Sequence, residues 1–467
     1  MIHCYRQNGL NIVLDAASGC VHCVDDVAFD AIRMYEDAGR ERTVRAIFER
    51  YGELAEADVL ELISDIEDLK SAGKLYSEDI WEPAAGKARD TSLKALCLNV
   101  SHMCNMSCGY CFAGKGEYSG KAKLMPLETG LRAMDYLVEN SGDHRNLYID
   151  FFGGEPLLNL DVVREVVEHG RKIERGGGKR FLFTLTTNGL LIDENVIELL
   201  NREMSNVVLS LDGRQEVNDA SRILPDGSGT YGVVVPKFKR LIDARGGKDY
   251  YIRGTYTSRN LDFTKDILHL AELGFTELSM EPVIPAPVHV SGDSTAHEAS
   301  DGSSYLLTAE HLPEISAQYE LLATEMLKRK KEGGRFTFYH FKLDLKGGPC
   351  LYKKLAGCGV GTEYLAVTPD GELYPCHQFV GNDDFLMGDV YSGIVNTNLQ
   401  DEFRACTIYS RTECRGCWAR MYCSGGCAAG AYNSTGSISG VYEFGCEVFK
   451  KRIECAIMMK AAEAFPE

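Results

Sequence analysis

The chain has 467 residues, a formal net charge of −18 and 17 cysteines. Its length predicts roughly two to four domains, and its acidic balance argues against a nucleic-acid partner, because a phosphate-binding surface needs clustered Lys and Arg. The chain does not open with a basic segment and an apolar stretch, and no apolar run is long enough to cross a bilayer. We therefore expect a soluble cytoplasmic protein with no membrane partner. Cytosolic thiols stay reduced, so metal ligation is the favoured use of the cysteines.

Residues 1–82 predict a small domain of three strands followed by three helices. Turn glycines and hydrophobic spacing place the strands at Ile2–Gln7, Leu10–Asp15 and Cys20–Val24, and the helices at Val27–Tyr35, Thr43–Tyr51 and Glu56–Ala72, the last capped by Asp58. Strand alternation puts Cys20 and His22 on one face and Cys23 on the other, which favours a structural role over a metal site. Residues 83–92, overlapping the polar stretch Glu82–Asp90, are predicted to be a linker.

Residues 93–305 alternate apolar strands with longer amphipathic helices. The predicted strands are Ala95–Val100, Leu147–Phe152, Phe181–Thr186, Asn206–Leu211, Tyr251–Thr257 and Glu277–Pro282. Six βα units in succession predict a parallel sheet covered by helices, hence an α/β fold. A closed barrel needs eight units, so we expect a partial (β/α)6 barrel with its active site at the C-terminal strand ends.

The segment Ala286–Ser304 is predicted to be a loop insertion, and a helix at about Glu310–Lys331 dominates a bridging region at residues 306–349. Residues 350–467 carry ten of the 17 cysteines. Short elements and many turns are expected there, where metal replaces a hydrophobic core.

Three cysteines, Cys104, Cys108 and Cys111, follow the first barrel strand with the spacing C-x3-C-x2-C. Three thiolates can hold a four-iron cluster and leave one iron open; a structural zinc loop is the alternative. With Tyr110 before the last cysteine, the segment resembles the radical S-adenosylmethionine (SAM) signature C-x3-C-x-aromatic-C. The resemblance implies that the open iron chelates SAM and that SAM cleavage gives a 5′-deoxyadenosyl radical.

Later motifs fall at the predicted strand ends in the order of that superfamily. The resemblance assigns SAM binding to Tyr110, Gly153, Gly154, Glu155, Asn188, Ser210 and Arg253. Glu155 would accept hydrogen bonds from the SAM ammonium. Arg253 would pair with the SAM carboxylate, a bidentate task that suits arginine better than lysine.

The second cysteine region has the spacing C-x12-G-x4-C, then C-x2-C-x5-C-x3-C, then a last cysteine. It resembles the SPASM domain, which binds two auxiliary clusters. The resemblance assigns Cys358, Cys376 and Cys427 to auxiliary cluster I, and Cys414, Cys417, Cys423 and Cys446 to auxiliary cluster II, so that three [4Fe-4S] clusters are expected. Zinc ribbons are the alternative, although seven ligands fit two zinc ions poorly.

Two questions stay open in this region. The fourth position of auxiliary cluster I is filled either by Cys350 or by a substrate thiolate. His377 follows Cys376 where some formylglycine-forming relatives have an acidic residue. This departure argues against Ser or Cys oxidation and leaves His377 as a base or as a hydrogen-bond donor near a cluster.

The first domain resembles the winged-helix peptide-recognition unit in maturases of SCIFF peptides (six cysteines in forty-five residues), through Met1–His3, Asn11–Asp15 and Val21–Ala28. A DNA-binding winged helix is disfavoured because helical segments such as Glu56–Leu69 are acidic. The whole chain then resembles a sactisynthase. In such enzymes the radical takes hydrogen from the α-carbon of an acceptor, typically Thr, and a cysteine sulfur bonds there.

This resemblance implies two partners, a cysteine-rich precursor peptide bound through its leader and a reductant such as flavodoxin or ferredoxin. Two other functions stay open. One is a different radical modification, such as formylglycine formation in a sulfatase, and the other is a non-catalytic iron-sulfur electron-transfer protein.

Overall fold

The computed structural model describes residues 1–85, 91–114, 116–118, 122–285, 304–345 and 350–465. Its first unit is an antiparallel sheet of β1 (Ile2–Gln7), β2 (Leu10–Asp15) and β3 (Val21–Val24), in that spatial order. The first two strands have the predicted bounds, and β3 begins one residue later than predicted. Gly9 and Gly19 adopt positive φ at the turns between them.

Three helices follow this sheet: α1 (Asp26–Arg50), α2 (Glu56–Ser71) and α3 (Glu82–Ala85). The two helices predicted between residues 27 and 51 are the two parts of α1, which is interrupted at Gly39, where φ is 73°. The predicted cap of α2 was wrong. Ala55 occupies the N-cap position, and Asp58 lies in the first turn, where its charge still meets the positive end of the helix dipole.

The six predicted barrel strands are present as β4 (Ala95–Ser101), β5 (Asn146–Gly153), β6 (Arg180–Thr187), β7 (Met204–Ser210), β8 (Tyr250–Tyr256) and β9 (Glu277–Pro282). They are parallel and lie side by side in chain order. Between them run α4 (Leu127–Glu139), α5 (Leu160–Arg175), α6 (Glu194–Glu203), α7 (Gln215–Ser221), α8 (Tyr231–Arg245) and α9 (Phe263–Glu272). The predicted α/β class is confirmed.

The sheet is longer than the sequence predicted. β10 (Thr337–Phe338) adds parallel to β9, and β11 (Tyr364–Val367) adds parallel to β4 at the opposite edge. The sheet then continues antiparallel through β12 (Glu372–Tyr374), β13 (Gly388–Asp389) and β14 (Gly393–Ile394), which makes eleven strands within the described ranges. The cysteine-rich region therefore begins as an extension of the barrel sheet.

The remaining helices bridge and close the C-terminal half. A 3-10 turn at Ala309–His311 leads into α10 (Leu312–Lys331), close to the predicted helix. The others are α11 (Leu351–Ala356), α12 (Thr397–Ala405), α13 (Thr412–Arg415), α14 (Arg420–Cys423), α15 (Ala428–Thr435) and α16 (Glu443–Ala464). Residues 86–90 of the predicted linker and residues 286–303 of the predicted loop lie outside the described residues, and the predicted domain boundaries remain expectations.

Burial alternates along the barrel strands and defines their two faces. On β5, Leu147, Ile149 and Phe151 are buried. Phe151 stacks on Phe183, which meets Gly170 of α5, so this face packs against the helices. The intervening side chains of β5 therefore point to the inner face of the partial barrel, and we call the space that this face borders the lumen.

The first domain packs on the C-terminal region. The His3 ring of β1 stacks on Trp418 at a centroid distance of 3.8 Å and lies 2.9 Å from the Glu454 carboxylate of α16. The Tyr5 hydroxyl donates to the Glu454 carbonyl. Asp79, after α2, accepts a 2.6 Å hydrogen bond from Arg420. Within the described ranges, no helix has the length and apolarity needed to cross a bilayer.

Candidate active site and cluster sites

Cys104, Cys108 and Cys111 lie in the loop after β4, at the C-terminal end of the barrel strands, as predicted. Burial raises the pKa of the Cys104 thiol to about 11 and that of Cys108 to about 12. The other cysteines of the triplet add to both rises, because neighbouring thiolates repel one another. The three side chains therefore share one buried neighbourhood.

Gly153 and Gly154 hold the end of β5 against the start of this loop. A Cβ atom on Gly153, whose φ is 125°, would lie 2.2 Å from the Ser101 carbonyl oxygen, and one on Gly154 would lie 2.3 Å from the Met103 carbonyl oxygen. The amides of Gly154 and Glu155 donate to these same two carbonyls at 2.7 and 2.8 Å. The two backbones can approach this closely only because both positions are glycine.

Glu155 is fully buried and most of its carboxylate is already engaged. It accepts hydrogen bonds from the Leu157 amide at 3.0 Å, the Thr187 hydroxyl at 2.8 Å and the Asn188 amide at 2.8 Å. A carboxylate has about four acceptor positions, so one position on Oε2 is left for another donor. Burial raises the pKa of Glu155 to about 7, although these three bonds oppose the rise.

Asn188 ties the end of β6 to the cysteine loop. Its Nδ2 donates to Asn105 Oδ1 at 2.8 Å and reaches Cys104 Sγ at 3.7 Å. The structure therefore brings Gly153, Gly154, Glu155 and Asn188 to the Cys104 loop, as the sequence predicted.

Tyr110 belongs to a buried polar group that the sequence did not reveal. Its hydroxyl donates to Asp212 at 2.5 Å and accepts from Arg222 Nη1 at 3.1 Å. Asp212 also accepts from the Thr255 amide at 3.0 Å, which joins the group to β8. The buried Arg222 guanidinium lies close enough to Cys104, Cys108 and Glu155 to lower the pKa of all three.

Arg253 occupies a different place from Arg222. It lies on β8, paired in register with Ser210 at the end of β7. Its positive charge acts on Asp150 and Glu281 of the barrel and on His340 and His377 of the later segments. Ser210 and Arg253 thus face the lumen, and their contact with SAM stays a prediction.

In space, the ring of His377 lies between the first cysteine triplet and Cys376, the residue that it follows in the chain. Its ring is 5.7 Å from the ring of Phe112, which follows Cys111, and 4.8 Å from the ring of Phe152 on β5. Its Nδ1 is 3.4 Å from the Tyr364 hydroxyl of β11. Burial, helped by the positive charge of Arg253, lowers the pKa of His377 to about 4, so the ring is neutral near pH 7.

The later cysteines gather into the two predicted sets. The thiolates of Cys427 and Cys358 raise the pKa of Cys376, adding to a larger effect of burial. Burial raises the pKa of Cys423 to about 12, and Cys446, Cys414 and Cys417 raise it further. Cys350 precedes α11 and Cys358 follows it, so one short helix separates them.

Family models match two regions of this chain. The radical SAM superfamily model matches residues 98–279, and the SPASM model, described as an iron-sulfur cluster-binding domain, matches residues 358–418. This chain carries a radical SAM domain followed by a SPASM domain. SAM and iron-sulfur clusters are accordingly its cofactors.

Two curated relatives are similar to most of this radical SAM/SPASM chain. The radical SAM cyclopropyl synthase TigE of Paramaledivibacter caminithermalis is 22% identical over 77% of this chain and 72% of its own length. The cysteine-type anaerobic sulfatase-maturating enzyme of Clostridium novyi is 24% identical over 72% of this chain and 88% of its own length. A cyclopropyl synthase and a sulfatase-maturating enzyme are therefore about equally similar to it.

Two solved structures share the fold. The structure of anSMEcpe with bound AdoMet and the Cp18Cys peptide has a TM-score of 0.63 and 23% identity, over 80% of this chain and 99% of the other. Streptococcus suis SuiB bound to the precursor peptide SuiA has a TM-score of 0.51 and 15% identity, over 94% of this chain and 97% of the other. The SuiB likeness extends over more of this chain.

Sequence reasoning missed the burial of Arg222 beside the first cysteine triplet and the position of Asp150 on the wall of the lumen. Arg222 follows the short helix α7, where a buried arginine and an exposed one look alike in sequence. Asp150 stands in a strand pattern as the polar member of an alternation, which usually marks a solvent-facing residue. Only the curvature of the sheet turns that face inward.

Proposed function

We propose that this radical SAM/SPASM chain is a peptide maturase that joins a donor cysteine sulfur to the α-carbon of an acceptor residue, Thr by the family resemblance, in a ribosomally made cysteine-rich peptide. One observation carries the proposal. The set Cys358, Cys376 and Cys427, which the SPASM resemblance leaves one ligand short, is joined through His377, the neighbour of Cys376, to Phe112 beside the first cysteine triplet. The thiol of a substrate cysteine in the lumen could complete this later cysteine set, while an adjacent residue of the substrate faces the first cysteine triplet.

Each group at the first triplet has a role in this proposal. Cys104, Cys108 and Cys111 hold a [4Fe-4S] cluster, which with bound SAM supplies a 5′-deoxyadenosyl radical. The remaining acceptor position of Glu155 receives the SAM ammonium. Arg222, with Tyr110 and Asp212 holding its position, pairs with the SAM carboxylate. Arg253 remains the alternative partner for that carboxylate.

The second cysteine region holds two auxiliary clusters in this proposal. Cys414, Cys417, Cys423 and Cys446 supply four ligands to one of them. Cys358, Cys376 and Cys427 would supply three to the other, and the substrate thiolate would supply the fourth in preference to Cys350; that cluster, when bound, would accept the one electron released as the sulfur bonds to the α-carbon radical. Cys350 and Cys358 stand at opposite ends of the short helix α11, and Cys350 is the fourth ligand if the substrate supplies no thiolate.

The first domain binds the peptide leader in this proposal. Among the described strands, β3 pairs only with β2, which leaves its outer edge free to take an extended peptide by backbone hydrogen bonds. The domain rests on α16 and on Trp418, next to Cys417. A peptide bound at β3 is thereby tethered to the cluster-bearing part of the molecule, which raises its local concentration at the lumen.

Anaerobic reaction of the reconstituted protein with SAM, dithionite and a six-cysteine SCIFF peptide tests the proposal. We expect the peptide to lose two hydrogens for each cross-link and 5′-deoxyadenosine to accumulate. The same peptide with every Cys replaced by Ser is the matched control and should keep its mass. Failure to release 5′-deoxyadenosine under any condition would instead support a non-catalytic electron-transfer protein.

Formylglycine formation in a sulfatase is the second candidate, because the sulfatase-maturating relative is as similar to this chain as TigE is. It predicts a different mass change, since conversion of Cys to formylglycine removes sulfur. A Cys-containing sulfatase peptide offered in the same reaction distinguishes the two functions. Loss of sulfur from that peptide, with the SCIFF peptide unchanged, would replace our proposal with this one.

A further inference from the structure

Asp150 is a half-buried acid in the middle of β5, on the face that borders the lumen. Its Oδ1 atom is buried and makes no hydrogen bond with any described residue. Desolvating a carboxylate oxygen without a hydrogen bond is costly. Because this oxygen borders the lumen, it is available to a donor group of a bound substrate.

The neighbours of Asp150 place it beside the second cysteine region. Asp150 pairs in register with Cys97 of β4. The charges of Asp150 and Cys376 both act on the thiol of Cys97 and on the hydroxyl of Tyr364. Two residues further along β5, on the same face, Phe152 contacts His377. The free oxygen of Asp150 therefore borders the space between Cys376 and the first cysteine triplet.

We propose that Asp150 is the general base that accepts the proton of the donor cysteine thiol. The S–H bond of the substrate breaks, the proton goes to the Asp150 carboxylate, and the electron pair stays on sulfur. The step needs no oxidant or reductant. This inference rests on the proposed function, because it assigns a residue to the sulfur that the cross-linking reaction uses.

The acidity of Asp150 suits this task. Burial raises the pKa of Asp150 to about 7, and the positive charge of Arg253, facing it from β8, opposes the rise. Cys97 of β4 and Tyr364 of β11 are the other ionisable groups that interact with it, and both are neutral near pH 7 because burial raises their pKa values. A base with a pKa near the working pH transfers protons efficiently from a thiol of pKa about 8.5.

The test compares Asp150→Asn with Thr184→Val. Thr184 is the register partner of Asp150 on β6, so its replacement changes a neighbouring polar side chain of the lumen and leaves the acid in place. Initial rates of cross-link formation in the SCIFF peptide and of 5′-deoxyadenosine release without peptide are measured from pH 6 to 9. General-base catalysis contributes about 100-fold or more, so Asp150→Asn should slow cross-linking by about that factor and leave peptide-free SAM cleavage within about twofold.

The pH profile separates a base from a structural residue. Because the Asp150 carboxyl must be ionised to accept a proton, the wild-type cross-linking rate should fall as the pH drops below about 7, once it is divided by the rate of peptide-free SAM cleavage at the same pH so that titration of Glu155 cancels. Thr184→Val should keep this acidic limb, and Asp150→Asn should lack it. A wild-type profile flat from pH 6 to 9, or an acidic limb retained in Asp150→Asn, overturns the role of Asp150. The wild-type profile keeps the test valid if Asp150→Asn fails to fold.

Failure of the proposed function gives a different result. If the wild-type enzyme converts cysteine to formylglycine or forms no cross-link, both the proposed function and this role of Asp150 are overturned. If the wild-type enzyme forms the thioether and Asp150→Asn forms it at the same rate, the function stands and the base lies elsewhere.

Discussion

At the scale of single residues, two arginines compete for the SAM carboxylate. Arg222 is buried beside Cys104, Cys108 and Glu155, whereas Arg253 acts on Asp150 and on later histidines. We expect Arg222→Lys to weaken SAM binding by about tenfold, equivalent to about 1.4 kcal/mol, because lysine cannot pair in a bidentate way while bonding Tyr110. Equilibrium binding of SAM to the reconstituted protein measures this.

The matched control is Arg253→Lys, which should leave SAM affinity within about twofold and affect the peptide reaction instead. The opposite ranking would return the SAM carboxylate to Arg253, as the sequence predicted.

Gly153 offers a second prediction at this scale. In Gly153→Ala the new Cβ meets the Ser101 carbonyl oxygen at 2.2 Å, so the loop that carries Cys104 must shift. We expect the variant to lose iron from the first cluster, seen as about four fewer irons per chain. Gly178→Ala is the control, since Gly178 also has positive φ but nothing within 4 Å of its Cβ position. It should cost only about 1–2 kcal/mol of backbone strain and keep its iron.

At the scale of elements, the cysteine sets should be separable. Replacing Cys104, Cys108 and Cys111 together with Ala should abolish SAM cleavage but leave about eight irons bound, because the seven later cysteines belong to other segments. Iron analysis and 5′-deoxyadenosine release are the two measurements. A protein with no iron would show that the three sites do not assemble independently.

The contact between the first domain and the C-terminal region makes an independent prediction. Arg420 is only 6% exposed and bonds Asp79, which also accepts from Tyr409. Asp79→Ala leaves that arginine buried without its carboxylate, so the free energy of unfolding should fall by about 2–3 kcal/mol. Thermal unfolding under anaerobic conditions measures this effect.

Asp65→Ala on the exposed face of α2 is the matched control and should stay within about 0.5 kcal/mol of the wild type. Equal midpoints for the two variants would mean that the first domain is not held through Asp79.

At the scale of the whole molecule, the sequence predicted what local pattern encodes. The six barrel strands follow from alternation and turn residues, and the Cys104 loop follows from its spacing. The sequence did not predict the extension of the sheet through β11 to β14, because strands of two to four residues contain too few alternations to detect. The inward positions of Asp150 and Arg222 were not predicted either, since burial of a polar side chain depends on packing between distant segments. Ala55 occupies the N-cap position of α2 without a capping hydrogen bond from its side chain, so the sequence offered nothing by which to predict it.

The whole chain arranges a candidate peptide-binding edge and the cysteine sets around one lumen. The first domain has a free strand edge among the described strands, and two cysteine sets border the lumen. The third cysteine set includes Cys446, which lies on α16. This arrangement suits an enzyme that holds a long substrate at one place and modifies it at another.

Deuterium transfer tests the central claim most directly. A SCIFF peptide carrying deuterium at the α-carbon of its threonines is treated anaerobically with the reconstituted protein, SAM and dithionite, and a second peptide carries deuterium at the cysteine β-carbons. We expect the first label, and not the second, to appear in 5′-deoxyadenosine, with one thioether formed for each deuterium transferred. Transfer from the cysteine β-carbon, with loss of sulfur, would contradict it.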